Sequence, residues 1–208
     1  MKDENLEVEV KFLVGDLTAV RTHLLTLNAT LKKPRVFEQN IRLDTPDGAL
    51  LSELQMLRIR QDATVRVTFK SPPPPEIVSE VKVREEFEMT VSDAETAVSI
   101  FSRLGYFPVQ TYEKYRETFQ LGGVEVVLDE MPYGNFVELE GAEAEIKALA
   151  AQLNLVWGQR ILPGYLAMMG IIKTAFDLPF DDLTFANFEQ FPEARIDAIS
   201  NLVFFNGG

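Results

Sequence analysis

Apolar and polar residues alternate with period two along most of this chain, the pattern of strands with two unlike faces. The first run, Leu6-Glu7-Val8-Glu9-Val10-Lys11-Phe12, predicts a strand over about residues 6 to 14. It puts Glu7, Glu9 and Lys11 on one face and the apolar side chains on the other. Asp16 stands where it can cap a helix through about residue 27, with Leu17, Val20, Leu24 and Leu27 on one stripe. A second strand is predicted from about Arg35 to Asp44, closed by the turn Thr45-Pro46-Asp47-Gly48. Leu57-Arg58-Ile59-Arg60 and Thr64 to Lys70 then read as a hairpin about Gln61-Asp62-Ala63. Arg58 and Arg60 share one face of its first strand, and Arg66, Thr68 and Lys70 share one face of its second.

Pro72 to Pro75 form an extended loop rather than a linker, because strand periodicity resumes from Ile77 to Met89. There Glu80, Lys82, Arg84, Glu86 and Glu88 oppose Val81, Val83, Phe87 and Met89. Ser92-Asp93-Ala94-Glu95 opens a helix in the manner of a capping box, and Gly105 is placed to end it. Lys114, Arg116 and Thr118 next alternate with Tyr115 and Phe119. Gly122-Gly123 turns into Val124 to Asp129, and Pro132-Tyr133-Gly134-Asn135 turns into Phe136-Val137-Glu138-Leu139-Glu140. Hairpin connections between these elements favour an antiparallel meander, and a sheet of about eight strands is expected to curl or close so that its edges are hidden.

Two orientations satisfy that pattern. An ordinary small barrel puts its apolar face inward and leaves the charges in water. An inverted barrel lines its lumen with the charges and covers its apolar outside with helices. Recurring Glu-x-Glu pairs and Asp129, set against a comparable number of Arg and Lys, are a costly surplus on a surface and a sensible lining for a charged ligand.

Composition narrows the chemistry. The 208 residues are 46% apolar, enough for one sizeable core and consistent with a single domain. No apolar run approaches the roughly 20 residues needed to span a bilayer, and Met1-Lys2-Asp3-Glu4 does not open a signal peptide, so a cytoplasmic protein without a membrane partner is expected. With no cysteine and only His23, any bound metal is expected to be held by oxygen. A net charge of −12 opposes duplex nucleic acid, although it does not prevent a small anion from occupying a locally basic cavity.

Taken in order, the motifs resemble the CYTH superfamily, the triphosphate tunnel metalloenzymes. They are Glu7-x-Glu9-x-Lys11, Asp44-Thr45-Pro46-Asp47, Leu57-Arg58-Ile59-Arg60, Thr68-Phe69-Lys70, Arg84-x-Glu86-x-Glu88, Lys114-x-Arg116, Leu128-Asp129 and Phe136-x-Glu138-x-Glu140. The resemblance covers about residues 5 to 170. It implies an α+β fold: an eight-stranded antiparallel β tunnel with a charged lumen and helices packed outside. Residues 1–170 would form the tunnel domain and 171–208 an aromatic-rich C-terminal extension on the same domain. For that extension, a segment packed on the barrel exterior, a dimer arm and a tunnel plug all remain open, as does a homodimer.

The resemblance also implies roles. Arg58, Arg60, Lys70, Lys82, Lys114 and Arg116 would bind the phosphates of a small triphosphate-containing substrate. Glu7, Glu9, Glu138 and Glu140 would hold Mg²⁺ or Mn²⁺, with Asp129 joining or orienting them. Glu86 and Glu88 would support the basic residues by ion pairing. Lys11 has two readings, phosphate contact or help in deprotonating water, and is grouped with Glu9 and Glu140 as catalytic. Arg160 resembles a late basic residue of the family, with an exposed Arg as the plain alternative. Arg42 departs from the pattern of many relatives, which place an aromatic residue there, and reads as a phosphate contact or a solvated strand residue. The expected activity is metal-dependent hydrolysis of the terminal phosphate of a substrate such as tripolyphosphate or thiamine triphosphate. The rivals are a class IV adenylate cyclase and a noncatalytic polyphosphate-binding module.

Overall fold

The computed structural model describes residues 5–198; residues 1–4 and 199–208, the latter part of the expected C-terminal extension, lie outside the described residues. The strands are β1 (Leu6–Val14), β2 (Thr30–Asp44), β3 (Met56–Gln61), β4 (Val65–Ser71), β5 (Lys82–Val91), β6 (Phe107–Leu121), β7 (Val124–Met131) and β8 (Gly134–Glu140). They close into a barrel in the order β1-β5-β4-β3-β2-β6-β7-β8, and every neighbouring pair is antiparallel. Closure comes from β8 pairing back with β1, which sets Glu9 opposite Glu140 and Lys11 opposite Glu138. That register puts the two Glu-x-Glu motifs side by side on one face.

Helices coat the outside. Asp16 accepts a hydrogen bond from the Thr18 N–H at 2.8 Å and starts α1 (Leu17–Thr26). Leu24 from α1 and Ile146 and Leu149 from α4 (Glu143–Gln152) pack with Val10, Phe12, Val126 and Leu139 in one core. A second core lies under α2 (Ala49–Ser52) and α3 (Ala94–Arg103), where Leu50 and Ala97 meet Leu57, Ile59 and Val67. A third gathers Tyr133 and Phe136 with Met168, Met169 and Ile172 of α5 (Tyr165–Phe176) and Phe188 of α6 (Phe185–Phe188). Each fully buried side chain of this size contributes about 1.5–3 kcal/mol. Val8, Ile59, Phe69 and Val137 belong to these exterior cores, and Tyr115 lies against Phe37 and Phe185. The barrel is therefore inverted: its apolar faces are outside under the helices and its charges are inside.

Several boundaries differ from the sequence reading. β2 starts at Thr30 rather than about Arg35, because register shifts between Leu31 and Lys33 and between Lys33 and Val36 absorb Pro34 without ending the strand. β6 likewise starts at Phe107, long before Lys114, since it pairs with β2 along its whole length. β5 starts at Lys82 rather than Ile77. Ser79 instead donates to Glu143 at 2.6 Å and accepts from the Val81 N–H, while Glu80 turns outward to Lys147 and Trp157. The cap of α3 is Asp93, one residue inside the proposed capping box, accepting from the Thr96 N–H. Gly105 follows that helix at φ +95°, a conformation that costs glycine little. The short α2 was not predicted; the Asp44 carboxylate caps it by accepting from the N–H groups of Leu50 and Leu51.

The aromatic segment after α5 packs on the exterior. Phe176, Leu178, Phe180, Leu183 and Phe191 join the third core, and Leu183 exchanges backbone hydrogen bonds with Thr111 and Glu113 of β6. Among the described residues no helix is long and apolar enough to cross a membrane.

Candidate functional site

Six strands and one helix end contribute to a cavity of about 140 Å³ inside the barrel. β1 supplies Glu7, Glu9 and Lys11; β3 supplies Arg58 and Arg60; β4 and β5 supply Lys70 and Lys82. Across the lumen stand Lys114 and Arg116 of β6, Glu138 and Glu140 of β8, and the first turn of α5. Period-two alternation is what aims them: Val8, Val10, Ile59, Phe69, Val137 and Leu139, which alternate with them, lie in the exterior cores. Seven cationic side chains face four carboxylates here, so the lining carries excess positive charge although the whole chain is at −12.

Burying so many charges is costly unless each finds a partner, and most do. Lys70 bridges Glu7 at 2.5 Å and Glu86 at 2.7 Å. Lys82 reaches Glu9 at 2.5 Å, and Lys11 lies between Glu9 at 2.8 Å and Glu138 at 3.1 Å. Burial alone would raise the Glu9 carboxyl, but Lys11, Lys82 and Lys70 hold it well below the usual range. Burial would likewise lower Lys11, but Glu138 and Glu9 push its pKa upward, so it stays protonated. The Arg58 guanidinium donates to the Tyr112 hydroxyl at 2.9 Å and to Thr68 at 3.3 Å, and Thr68 donates in turn to Glu88 at 2.8 Å.

Glu140 is the exception. It has no ion pair or hydrogen bond among the described residues, and burial, with Glu7, Glu125 and Glu9 nearby, pushes its pKa up to about 7. Glu7 is raised too, chiefly by burial and by Glu9. Glu7 and Glu140 are thus less fully compensated than Glu9 and Glu138. Among the described residues no three carboxylates converge into a ready-made metal cage. Hard divalent cations do not require one: Mg²⁺ is usually held by one or two carboxylates and completes its shell with phosphate oxygens and water. The donor set fits such an ion.

Two expected site residues are placed differently. Asp129 is fully buried behind the cavity wall, where it accepts from Arg116 at 2.7 Å, Lys114 at 3.1 Å and the Tyr165 hydroxyl at 2.8 Å. It therefore orients the basic residues rather than joining the carboxylates that face the cavity. Arg160 is not brought to the cavity. Its Nε donates to the Glu80 carbonyl at 2.9 Å and its guanidinium lies 5.3 Å from the Trp157 ring, while the next residue, Ile161, pairs with the Lys11 backbone of β1. Glu86 and Glu88 do pair with basic residues: Glu86 with Lys70, and Glu88 with Arg60 and Arg66.

Sequence reasoning missed Glu38, Tyr112 and Tyr165. Glu38 is almost wholly buried, 3.6 Å from Lys114 and 3.8 Å from Arg60, and accepts from Asn40 at 2.9 Å. Its signal was the polar parity Glu38, Asn40, Arg42 within β2, and Tyr112 shares the parity of Lys114 and Arg116. Tyr165 had no periodic signal, because only the packing of α5 across the barrel mouth brings it to the site.

A closed antiparallel tunnel with paired acids and bases inside defines a class of triphosphate-binding tunnel proteins. The CYTH domain model matches residues 5–157, and the chain belongs to that family, whose members bind triphosphate substrates and generally use divalent metal ions. It is 32% identical over 143 residues to a protein of Methanocaldococcus jannaschii named as a candidate adenylate cyclase, covering 68% of this chain and 79% of that one. The solved structure of a candidate adenylate cyclase from Vibrio parahaemolyticus superposes with a TM-score of 0.71 at 20% identity, over 80% of this chain and 98% of that one. A Hippeastrum candidate adenylyl cyclase described as having a dominant triphosphatase activity superposes at 0.53 with 20% identity, over 72% of this chain and 88% of that one.

Proposed function

We propose that this chain hydrolyses the terminal phosphate of a small triphosphate-containing substrate, with inorganic tripolyphosphate a competent one, using Mg²⁺ or Mn²⁺. The observation that supports this most is the excess of cationic over acidic side chains inside the tunnel of an otherwise acidic protein. Phosphoryl transfer asks little covalent chemistry of a protein and much electrostatic stabilisation of the equatorial oxygens. Arg58 can fork onto two oxygens, Arg116 presents the end of its guanidinium left free by Asp129 and Glu138, and Lys70, Lys82, Lys114 and Arg60 add charge along the chain of phosphates. Tyr112, Thr68 and Asp129 fix the guanidinium planes before substrate arrives. That spares reorganisation at the moment of reaction.

Lys11, held between two carboxylates, acts as a fixed positive charge toward the phosphates rather than as a base. Glu7, Glu9, Glu138 and Glu140 would hold the divalent ion, which when bound supplies Lewis-acid charge at the phosphate oxygens. In the reaction the water oxygen bonds to the terminal phosphorus as the bridging P–O bond breaks. Diphosphate leaves, and the proton shed by the water ends on the phosphate products.

A class IV adenylate cyclase is the second reading, favoured by the names of the relatives. A noncatalytic polyphosphate-binding module is the weaker rival, because carboxylates inside the cavity repel a polyanion unless a cation lies between them. The reading is tested by incubating the protein with tripolyphosphate, thiamine triphosphate or ATP, with Mg²⁺ or Mn²⁺, and separating phosphate, diphosphate and cyclic AMP. Metal-dependent phosphate and diphosphate from tripolyphosphate, with little cyclic AMP from ATP, is expected. Intact tripolyphosphate together with cyclic AMP and diphosphate from ATP would overturn hydrolysis in favour of cyclisation.

A further inference from the structure

Tyr165 is an uncharged residue in a charged wall, and it touches two of the cations there. It opens α5 and is buried at the cavity. Its ring lies against two ammonium groups, with Lys11 Nζ 5.4 Å and Lys114 Nζ 5.3 Å from the ring centre. Its hydroxyl donates at 2.8 Å to Oδ2 of Asp129, the same oxygen that accepts from Lys114 at 3.1 Å. Burial, with Asp129 and Glu138 nearby, pushes the pKa of that hydroxyl upward, so it stays a donor. The ring is braced edge-on by Phe136 at 5.2 Å, and the Tyr165 carbonyl accepts from the Tyr133 hydroxyl at 3.0 Å. The chain just before it is joined to one of the two lysines. β1 pairs with β5 only as far as Glu9, and Ile161 then exchanges two backbone hydrogen bonds with Lys11, at 2.8 and 3.3 Å.

We propose that Tyr165 is a positioning residue for Lys11 and Lys114, its ring steadying both ammonium groups at the cavity and its hydroxyl sharing Asp129 with Lys114. This rests on the triphosphate reading of the cavity. Each lysine has carboxylates to fall back on: Glu9 and Glu138 for Lys11, Asp129 and Glu38 for Lys114. An ammonium drawn fully onto its carboxylates is lost to the phosphates. A further carboxylate in place of the ring would neutralise the two lysines and repel a polyanion, and an aliphatic side chain would offer them no counter-attraction. An aromatic face attracts an ammonium through its quadrupole while carrying no net charge. It therefore holds both lysines away from full collapse and leaves their charge for the ligand. The hydroxyl adds to this by occupying the Asp129 oxygen that Lys114 would otherwise have to itself.

Calorimetric titration with the di-imido analogue of tripolyphosphate and Mg²⁺ tests this without turnover. The proteins are wild type, Tyr165→Leu, Tyr165→Phe, and Tyr165→Phe carrying one, two or three fluorines on that ring. Fluorine withdraws electron density from the ring face and hardly changes its size, so a packing role would not register it. Affinity is expected to fall stepwise with each fluorine, by about tenfold from none to three, while the urea midpoint stays constant along the series. Tyr165→Leu should bind about 30-fold more weakly than wild type, the loss of both ring contacts together. An affinity that is flat or rises along the fluorine series would make the ring a packing element and overturn the proposal, with the triphosphate reading intact. Proton NMR of wild type gives a check that needs no variant to fold. The ε-methylene signals of Lys11 and Lys114 should be displaced upfield by the ring and remain so with the analogue bound. Signals that return to ordinary positions on binding would mean that the lysines leave the ring, and would overturn the proposal as well. If wild type does not bind the analogue at all, the triphosphate reading fails and this proposal falls with it.

Discussion

Replacing Asp129 with Asn tests whether the buried carboxylate behind the site is the counter-charge that holds the phosphate-binding residues. Asp129 has no exposed surface and takes hydrogen bonds from Arg116, Lys114 and Tyr165. The amide keeps the size and one acceptor but removes the charge, leaving two buried cations. Glu38 at 3.6 Å from Lys114 and Glu138 at 2.5 Å from Arg116 would be their remaining partners. Breaking a buried pair costs about 3–5 kcal/mol, and those two carboxylates bring the expectation to the lower end, about 3 kcal/mol. At about 1.4 kcal/mol per tenfold, that is roughly 150-fold in the folding equilibrium. With a urea slope of about 2 kcal/mol/M, the midpoint should fall by about 1.5 M, followed by the fluorescence of the single tryptophan, Trp157. Tripolyphosphate should raise the midpoint of Asp129→Asn more than that of wild type, because the variant's cavity is more positive. A loss below about 1 kcal/mol with equal responses to tripolyphosphate would refute the counter-charge role.

A division of labour is expected among the cavity residues. Glu9→Gln or Glu140→Gln should abolish turnover mainly by weakening metal binding, whereas Arg58→Ala should raise KM with metal affinity less affected; steady-state kinetics at varied Mg²⁺ would expose the assignment as wrong if all three matched wild type. Glu38 sets an acid limit on stability. Burial alone would raise its pKa, but Lys114, Arg116, Arg60 and Arg58 hold it well below the ordinary 4.5. A depressed carboxyl stabilises the fold fully above its unfolded pKa, and that contribution is lost as pH falls from about 4.5 through the folded value. Urea midpoints between pH 7 and pH 3 should therefore fall less steeply for Glu38→Gln than for wild type, and parallel slopes would contradict this.

Strand alternation was local information, and it carried far. Because side chains two apart share a face, Glu7, Glu9 and Lys11, Arg58 and Arg60, Lys114 and Arg116, and Glu138 and Glu140 could each be grouped from the chain alone. The number of strands and the hairpins within β2 to β5 and β6 to β8 were legible for the same reason, whereas the pairing of β1 with β5 and of β2 with β6 departs from a simple meander. Alternation says that two faces differ; it does not say which is inside. An inward apolar face and an inward charged face have the same period, and the surplus of both signs of charge on one face, together with the resemblance of the motifs, rather than the period, pointed to the tunnel.

Tertiary structure decided what depends on pairing between distant segments. Closure of β8 on β1 sets Glu9 against Glu140 and leaves Glu140 buried beside other carboxylates without an ion pair among the described residues. Bulges at Pro34 kept β2 running through a residue that reads as a stop, and so brought Glu38 into the site unannounced. Asp129 and Arg160 were both expected at the site, yet one is locked behind the wall by three donors and the other lies by Trp157 and Glu80, away from the cavity. The first turn of α5, with Tyr165 and Leu166, reaches the tunnel mouth only because α5 packs its buried residues on the third core. Periodicity is written in neighbouring residues and survives in the sequence, whereas register, closure and the docking of a terminal helix are contacts between remote parts of the chain and exist only once it has folded.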